Sequence, residues 1–155
     1  MADLLALTPT LYRLRIPGER AHLLNCYLRL DADGVTLIDT GWPDSAALIA
    51  DALAALRRRP VDVKHIVLTH FHEDHCGAAA EIAGWSGAEV IAGEPDSSYI
   101  TGDDAGPIPV LTDAERTLRP DFDAAPHGPA CRVDRTVTDG DVLDCTIECW
   151  LHGST

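Results

Sequence analysis

Long apolar runs and lysine are what this sequence has least of. No apolar run approaches the roughly 18 residues that a membrane-spanning helix needs, which argues against a membrane protein. Lys64 is the single lysine, and 12 basic against 25 acidic side chains give a formal net charge of −13. Because phosphate backbones bind clustered lysine and arginine, this balance disfavours nucleic-acid binding. The one basic run, residues 57–59, lies at the C-terminal end of a predicted helix, where cations are favourable.

Disulfide and secretion signals are also missing. The cysteines number five, which is odd, and they form no C-x-x-C pair, so neither a disulfide framework nor a zinc ribbon is indicated. The first residues lack the basic region and long apolar stretch of a secretory signal, so we predict a cytoplasmic protein. The chain has 155 residues, 46% of them hydrophobic, which suits one globular domain over residues 1–155.

The apolar pattern predicts an α/β protein. Alternation and short apolar runs indicate strands at residues 11–16, 23–30, 35–38, 65–68 and 89–92. Helical spacing indicates one helix that starts near residues 43–45 and stops at Pro60, and a second at residues 78–85. A hairpin turn is expected at residues 31–34. The order predicts an antiparallel start followed by crossover units.

The later part of the chain is harder to interpret. Residues 94–131 contain clustered breakers and are expected to be irregular. A long irregular segment in a compact domain is typical of a functional loop, although a plain surface excursion is the alternative. Sheet structure is expected again at residues 132–137, 142–143 and 146–151, with a turn at residues 139–141.

Three of the seven histidines and one aspartate fall within six consecutive positions, as His70, His72, Asp74 and His75. Imidazole and carboxylate are ligands that Zn²⁺ prefers. In an extended segment, residues two apart point the same way, so His70 and His72 are expected to share one metal. The turn into the next helix would aim Asp74 and His75 at a second metal about 3.5–4 Å away, as in two-metal hydrolases.

Other interpretations of this cluster are weaker. Surface or capping histidines are the plain alternative. His72 and Glu73 begin an H-E-x-x-H zincin motif, but position 76 is Cys76, which breaks it. Cys76 itself is expected to be a small buried helix residue. Neither a G-x-S-x-G nucleophile motif nor a P-loop is present.

Residues 69–75, T-H-F-H-E-D-H, resemble the T-H-x-H-x-D-H signature of the metallo-β-lactamase superfamily. Residues 37–41 resemble the D-T-G turn of that family, in which Asp39 would support the metal loop. Residues 139–141 are similar in place to a later turn of the family. The resemblance covers most of the chain from Tyr12 to Leu151 and implies an α/β fold, the αββα sandwich built from two related halves.

The resemblance also implies a chemistry. His70 and His72 would hold the first metal, and Asp74 and His75 the second, with zinc favoured and iron or manganese as alternatives. A metal-activated water would attack an ester-like bond of a small molecule, namely a thioester, a lactone or a β-lactam. Asp74 would be the catalytic residue that orients the water or assists proton transfer. A thioesterase or lactonase is favoured over a β-lactamase, because the signature is shared across the broad superfamily.

The chain departs from the family pattern at its end. The family adds a third histidine in a P-G-H-T-like segment, then a bridging aspartate and a later histidine. Here residues 152–155 are H-G-S-T, which leaves the role of His152 open. The resemblance therefore predicts the N-terminal half to two-thirds of the sandwich, a fragment with weak metal binding and little activity. The alternatives are an iron-dependent sulfur dioxygenase on the same fold and a truncated domain that binds metal without turnover.

Overall fold

One mixed β-sheet organises the part of the chain that the structure, a computed structural model, describes: residues 2–17, 23–107, 111–118, 128–143 and 147–148. Seven strands lie in the sheet in chain order. They are β1 Asp3–Ala6, β2 Leu11–Pro17, β3 Leu23–Leu30, β4 Val35–Ile38, β5 Val63–Leu68, β6 Glu89–Gly93 and β7 Arg135–Val137. Neighbours from β1 to β4 are antiparallel, and neighbours from β4 to β7 are parallel. The predicted antiparallel start followed by crossover units is confirmed.

The helices occupy the connections between the parallel strands. They are α1 Ala46–Ala55, α2 Glu73–Cys76, α3 Ala79–Ser86, α4 Ser97–Thr101 and α5 Asp113–Leu118, with 3₁₀ turns at Pro60–Asp62 and Glu94–Asp96. Two further strands, β8 Val142–Leu143 and β9 Ile147–Glu148, pair antiparallel in a small second sheet. Within the described ranges, no helix has the length and apolar character needed to span a membrane.

The main core lies between one face of the sheet and helices α1 and α3. Alternate strand residues such as Leu37 and Ile66 are fully buried there, and so are Ile49 and Leu53 of α1 and Ile82 of α3. Burying a side chain of this size stabilises the fold by about 1.5–3 kcal/mol. The apolar residues that alternate along the strands therefore form the face on which the helices pack.

The opposite face of the sheet carries a smaller apolar cluster. Val67, Ile91 and Val137 meet Leu143 of β8 there, with Ile38 packed against them. Because Ile66 is buried in the main core and Val67 in this cluster, β5 is covered on both faces, as its continuous apolar run predicts.

Several element boundaries differ from the sequence prediction. Helix α1 ends at Ala55, well before Pro60, because Arg57 adopts a left-handed φ of 56° and Arg58 N–H donates to the Leu53 carbonyl. Strand β1 was not singled out by the pattern, and strand β7 begins at Arg135 rather than 132. The segment 94–131 is not wholly irregular, because it contains α4 and α5.

The hairpin between β3 and β4 forms at residues 31–34, as predicted, and Asp31 N–H donates to the Gly34 carbonyl. Gly34 is needed because neighbouring atoms leave no room for a side chain, and not because of a positive φ. A Cβ atom at Gly34 would lie 2.4 Å from the Asp62 carbonyl oxygen and 2.5 Å from Lys64 Cγ. The connection after α1 therefore packs directly on this turn.

Candidate metal centre

The candidate site lies at the carboxyl ends of the adjacent parallel strands β4 and β5. Residues 39–41 leave β4, and residues 69–75 leave β5, at the same edge of the sheet. Ligands of open α/β sheets bind outside the carboxyl ends of strands, because the connecting loops converge there. The fold therefore brings the D-T-G turn and the histidine cluster together, although they are distant in sequence.

Asp39 is the hub that ties these two loops together. It is 5% exposed and adopts a left-handed φ of 60°, a conformation that aspartate tolerates better than most residues. Its carboxylate accepts hydrogen bonds from Thr69 N–H at 2.8 Å, from the Thr69 hydroxyl at 2.8 Å and from His75 Nδ1 at 2.8 Å. The strained backbone is thus held in place by three donors.

This hub sets the hydrogen positions on two imidazole rings. A carboxylate only accepts, so His75 Nδ1 carries the proton and its Nε2 is left as an acceptor. The Thr69 hydroxyl donates its only hydrogen to Asp39. It can therefore only accept from His70 Nδ1, which lies 3.0 Å away. Both rings therefore keep Nε2 available as a metal ligand, the arrangement that outer hydrogen bonds usually impose on ligating histidines.

Thr40 and helix α2 fix the direction of the next two side chains. Thr40 donates to the His75 carbonyl from its N–H at 2.7 Å and from its hydroxyl at 2.9 Å. Helix α2 is one turn long, with His72 as its N-cap residue. A Cβ atom at Gly77 would lie 2.3 Å from the Glu73 carbonyl oxygen and 2.5 Å from Pro43 N, so glycine is required at the end of the turn.

Three of the predicted ligands converge in the structure. His70, Asp74 and His75 each offer one ligand atom, and these atoms all lie within 4.8 Å of one another. The Asp74 Oδ2 atom is 3.6 Å from His75 Nε2, and the rings of His70 and His75 are 4.0 Å apart. Donors about 2 Å from one ion lie up to about 4 Å apart, so small side-chain adjustments bring this set to the spacing of a zinc site.

His72 stands apart from this group. Its side chain is exposed, and its ring meets that of His70 edge-on at 4.8 Å between centroids. The sequence pattern paired His70 with His72 and Asp74 with His75, whereas the structure groups His70 with Asp74 and His75. The reason is the turn of α2, which begins directly after His72 and carries the two following side chains back toward His70. His152, the other candidate ligand, lies outside the described residues.

The histidines of the group have opposite pKa shifts. Burial lowers the pKa of His70, and the neighbouring charges of His75 and His72 add to this effect. Burial also disfavours charge on His75, but the hydrogen bond and the charge of Asp39, helped by Asp74, raise its pKa overall. Burial without a carboxylate hydrogen bond therefore lowers the pKa of His70, whereas the Asp39 carboxylate raises that of His75, although the two rings are neighbours.

The structure also supplies residues to which the sequence pattern assigned no role. Thr40 and Thr69 hold the loops as described, and Tyr99 of α4 contacts Phe71 with ring centroids 4.8 Å apart. Thr40 lies inside the D-T-G turn and Thr69 begins the T-H-x-H-x-D-H signature, so the motifs contained both threonines without indicating their hydrogen bonds. Cys76 is 6% exposed, which confirms the expected buried residue, and burial raises the pKa of its thiol to about 12.

The structure thus combines a mixed sheet backed by helices with a histidine and carboxylate cluster that could hold a metal ion at the strand ends. The family model described as the Metallo-beta-lactamase superfamily matches residues 21–155, so the chain belongs to that superfamily. The expected fold class, the N-terminal portion of the αββα sandwich, is confirmed with it.

Individual relatives agree with this assignment. An uncharacterized protein of Bacillus subtilis, YobT, is 38% identical over 52% of this chain and 34% of its own length. The probable metallo-hydrolase YflN of the same organism is 30% identical over 66% of this chain and 40% of its own. A solved metallo-β-lactamase of Cronobacter sakazakii superposes with a TM-score of 0.73 at 26% identity, covering 92% of this chain and 50% of that one. The chain thus spans half or less of the length of these relatives.

Proposed function

We propose that this chain provides the metal-binding part of a metal-dependent hydrolase, with His70, Asp74 and His75 as ligands and His72 as a further ligand. The observation that carries the proposal is the convergence of three donor atoms within 4.8 Å at the carboxyl edge of the sheet. The Asp39 network supports it, because that network leaves Nε2 of both His70 and His75 free to coordinate.

The donor set fits zinc. Two imidazole nitrogens and one carboxylate oxygen are the ligands of open catalytic zinc sites, which keep a position for substrate or water. When bound, such a cation supplies Lewis-acid chemistry and lowers the pKa of water toward neutrality. Iron and manganese accept the same donors and stay alternatives.

The protein side chains have distinct roles in this proposal. Asp39 holds the imidazole of His75, and Thr69 holds that of His70, so both rings are orientated before any ligand arrives. Asp74 is the catalytic residue, since its carboxylate is half-buried among the ligands and offers an acceptor for a proton of the attacking water.

The substrate is proposed to be a small molecule with an ester-like carbonyl: a thioester, a lactone or a β-lactam. The names of YflN, a probable metallo-hydrolase, and of the Cronobacter sakazakii metallo-β-lactamase support hydrolysis as the reaction class. The cytoplasmic location, the absence of a nucleic-acid partner and the single domain over 1–155 stay predictions from the sequence.

A metal and activity assay tests this proposal. The chain is expected to bind zinc measurably but weakly, and Asp74→Asn should lower kcat/KM by on the order of 10²-fold on whichever of a thioester, a lactone or nitrocefin is turned over. Asp51→Asn, an exposed aspartate on α1, is the matched control and should change neither property. A folded chain whose zinc binding equals that of a His70→Ala variant would refute the proposal, and one bound iron per chain in metal analysis would favour the sulfur dioxygenase alternative.

A further inference from the structure

An array of three rings connects the loop of residues 69–75 to helix α4, and its members are His72, Phe71 and Tyr99. The Phe71 and His72 centroids are 4.7 Å apart with their planes at 63°, and the Phe71 and Tyr99 centroids are 4.8 Å apart at 56°. Tilted and edge-to-face contacts at these distances are the favourable geometries for aromatic pairs. We call these three side chains the aromatic array.

His72 is supported differently from the other two histidines. Nδ1 of His75 donates to Asp39, and Nδ1 of His70 donates to Thr69. Among the residues that the structure describes, no side-chain hydrogen bond to His72 is found, and its ring packs against the rings of His70 and Phe71. The orientation of the His72 imidazole therefore depends on aromatic packing.

The far end of the array is held firmly. Ile100, next to Tyr99, is 3% exposed and packs in the main core, and its carbonyl accepts a hydrogen bond from Cys131 N–H at 2.9 Å. Gly106 presses on the Phe71 ring so closely that a Cβ atom there would lie 2.5 Å from Cε2. Phe71 is thus confined between a core-anchored helix and a backbone segment.

We propose that Phe71 and Tyr99 are positioning residues that set the orientation of the His72 ring in place of a hydrogen bond. The segment from Ser97 to Gly106 thereby controls how readily His72 joins the metal site. This consequence for metal binding rests on the proposed function, whereas the positioning of the His72 ring does not.

Substitutions at Tyr99 separate positioning from simple folding. Tyr99→Leu removes the ring contact, and Tyr99→Phe keeps it. Titration with Co²⁺, followed by its visible absorption, should show affinity falling on the order of tenfold for Tyr99→Leu, the effect typical of losing an outer support of a ligand. Tyr99→Phe should bind like the parent chain.

A substitution at Gly106 tests the same contact from the other side of the Phe71 ring. Gly106→Ala requires this ring to move and should also weaken Co²⁺ binding. Gly84→Ala, whose Cβ meets nothing within 4 Å, is its control.

A metal-free measurement tests the positioning itself. The imidazole NMR signals of His72, assigned with a His72→Gln variant, should shift in Tyr99→Leu and Gly106→Ala but not in Gly84→Ala. Unchanged His72 signals in a folded Tyr99→Leu chain would overturn the proposal. If the parent chain binds no Co²⁺ while the His72 signals still respond to Tyr99→Leu, the proposed function fails and the positioning role stands.

Discussion

The two sides of the histidine cluster are built in different ways. On the His75 side, Asp39, Thr40 and Thr69 form a half-buried hydrogen-bonded network that joins the ends of two parallel strands. On the His72 side, the ring is exposed and is held by contacts with other rings. The hydrogen-bonded network around His75 lies where β4 and β5 end. The ring contacts of His72 depend instead on the segment after β6, which carries Tyr99.

This difference shows that histidines of one sequence motif can be orientated in two ways, by hydrogen bonds at His75 and by ring packing at His72. Hydrogen bonds to a buried carboxylate are directional and costly to break, so the His75 side should respond to mutation in both stability and metal binding. Ring contacts are weaker and tolerant of small shifts, so the His72 side should respond mainly in metal binding.

The largest expected effect comes from removing the hub. Asp39→Ala leaves the donors of Thr69 and His75 without their acceptor and places alanine in a left-handed backbone, so the free energy of unfolding should fall by about 3 kcal/mol. Urea denaturation measures this loss. Asp39→Asn, which tolerates the backbone and keeps one acceptor oxygen, should lose less. Equal, small losses of unfolding free energy in both variants would show that the Asp39 hydrogen bonds do not stabilise the His75 side.

A smaller effect is expected at the turn that directs Asp74 and His75. A Cβ at Gly77 meets backbone atoms of Glu73 and Pro43, which cannot yield easily, so Gly77→Ala should cost about 1–3 kcal/mol in thermal or urea unfolding. Gly84→Ala, in the open on helix α3, should instead stabilise the chain by about 1 kcal/mol. If both substitutions behave alike, the tight packing at Gly77 is not what shapes the turn.

The smallest stability effect should come from the ring-held side. His72→Ala removes an exposed side chain without a described hydrogen bond, so the free energy of unfolding should change by no more than about 0.5 kcal/mol. Its Co²⁺ affinity should nevertheless fall. A loss of stability as large as that of Asp39→Ala would show that the two sides are supported alike and would end the distinction.

Much of the framework was accessible from local patterns. The alternation over residues 11–16 predicted the strand around Leu14, and the apolar run at residues 65–68 predicted a strand covered on both faces. These succeed because side-chain period and burial are coupled along a few residues. The end of α1 was misplaced, because the left-handed Arg57 terminates the helix before the proline is reached.

The sequence by itself determined the family, the order of the main strands and helices from β2 to β6, and the identity of His70, His72, Asp74 and His75 as candidate ligands, because motif spacing and apolar periodicity are local properties. Only the tertiary structure decided which of these side chains meet. Asp39 reaches Thr69 and His75 because β4 and β5 are parallel neighbours, and Tyr99 reaches Phe71 because the segment after β6 returns to the loop of residues 69–75. Contacts of that kind depend on how distant segments pack, which no local pattern encodes.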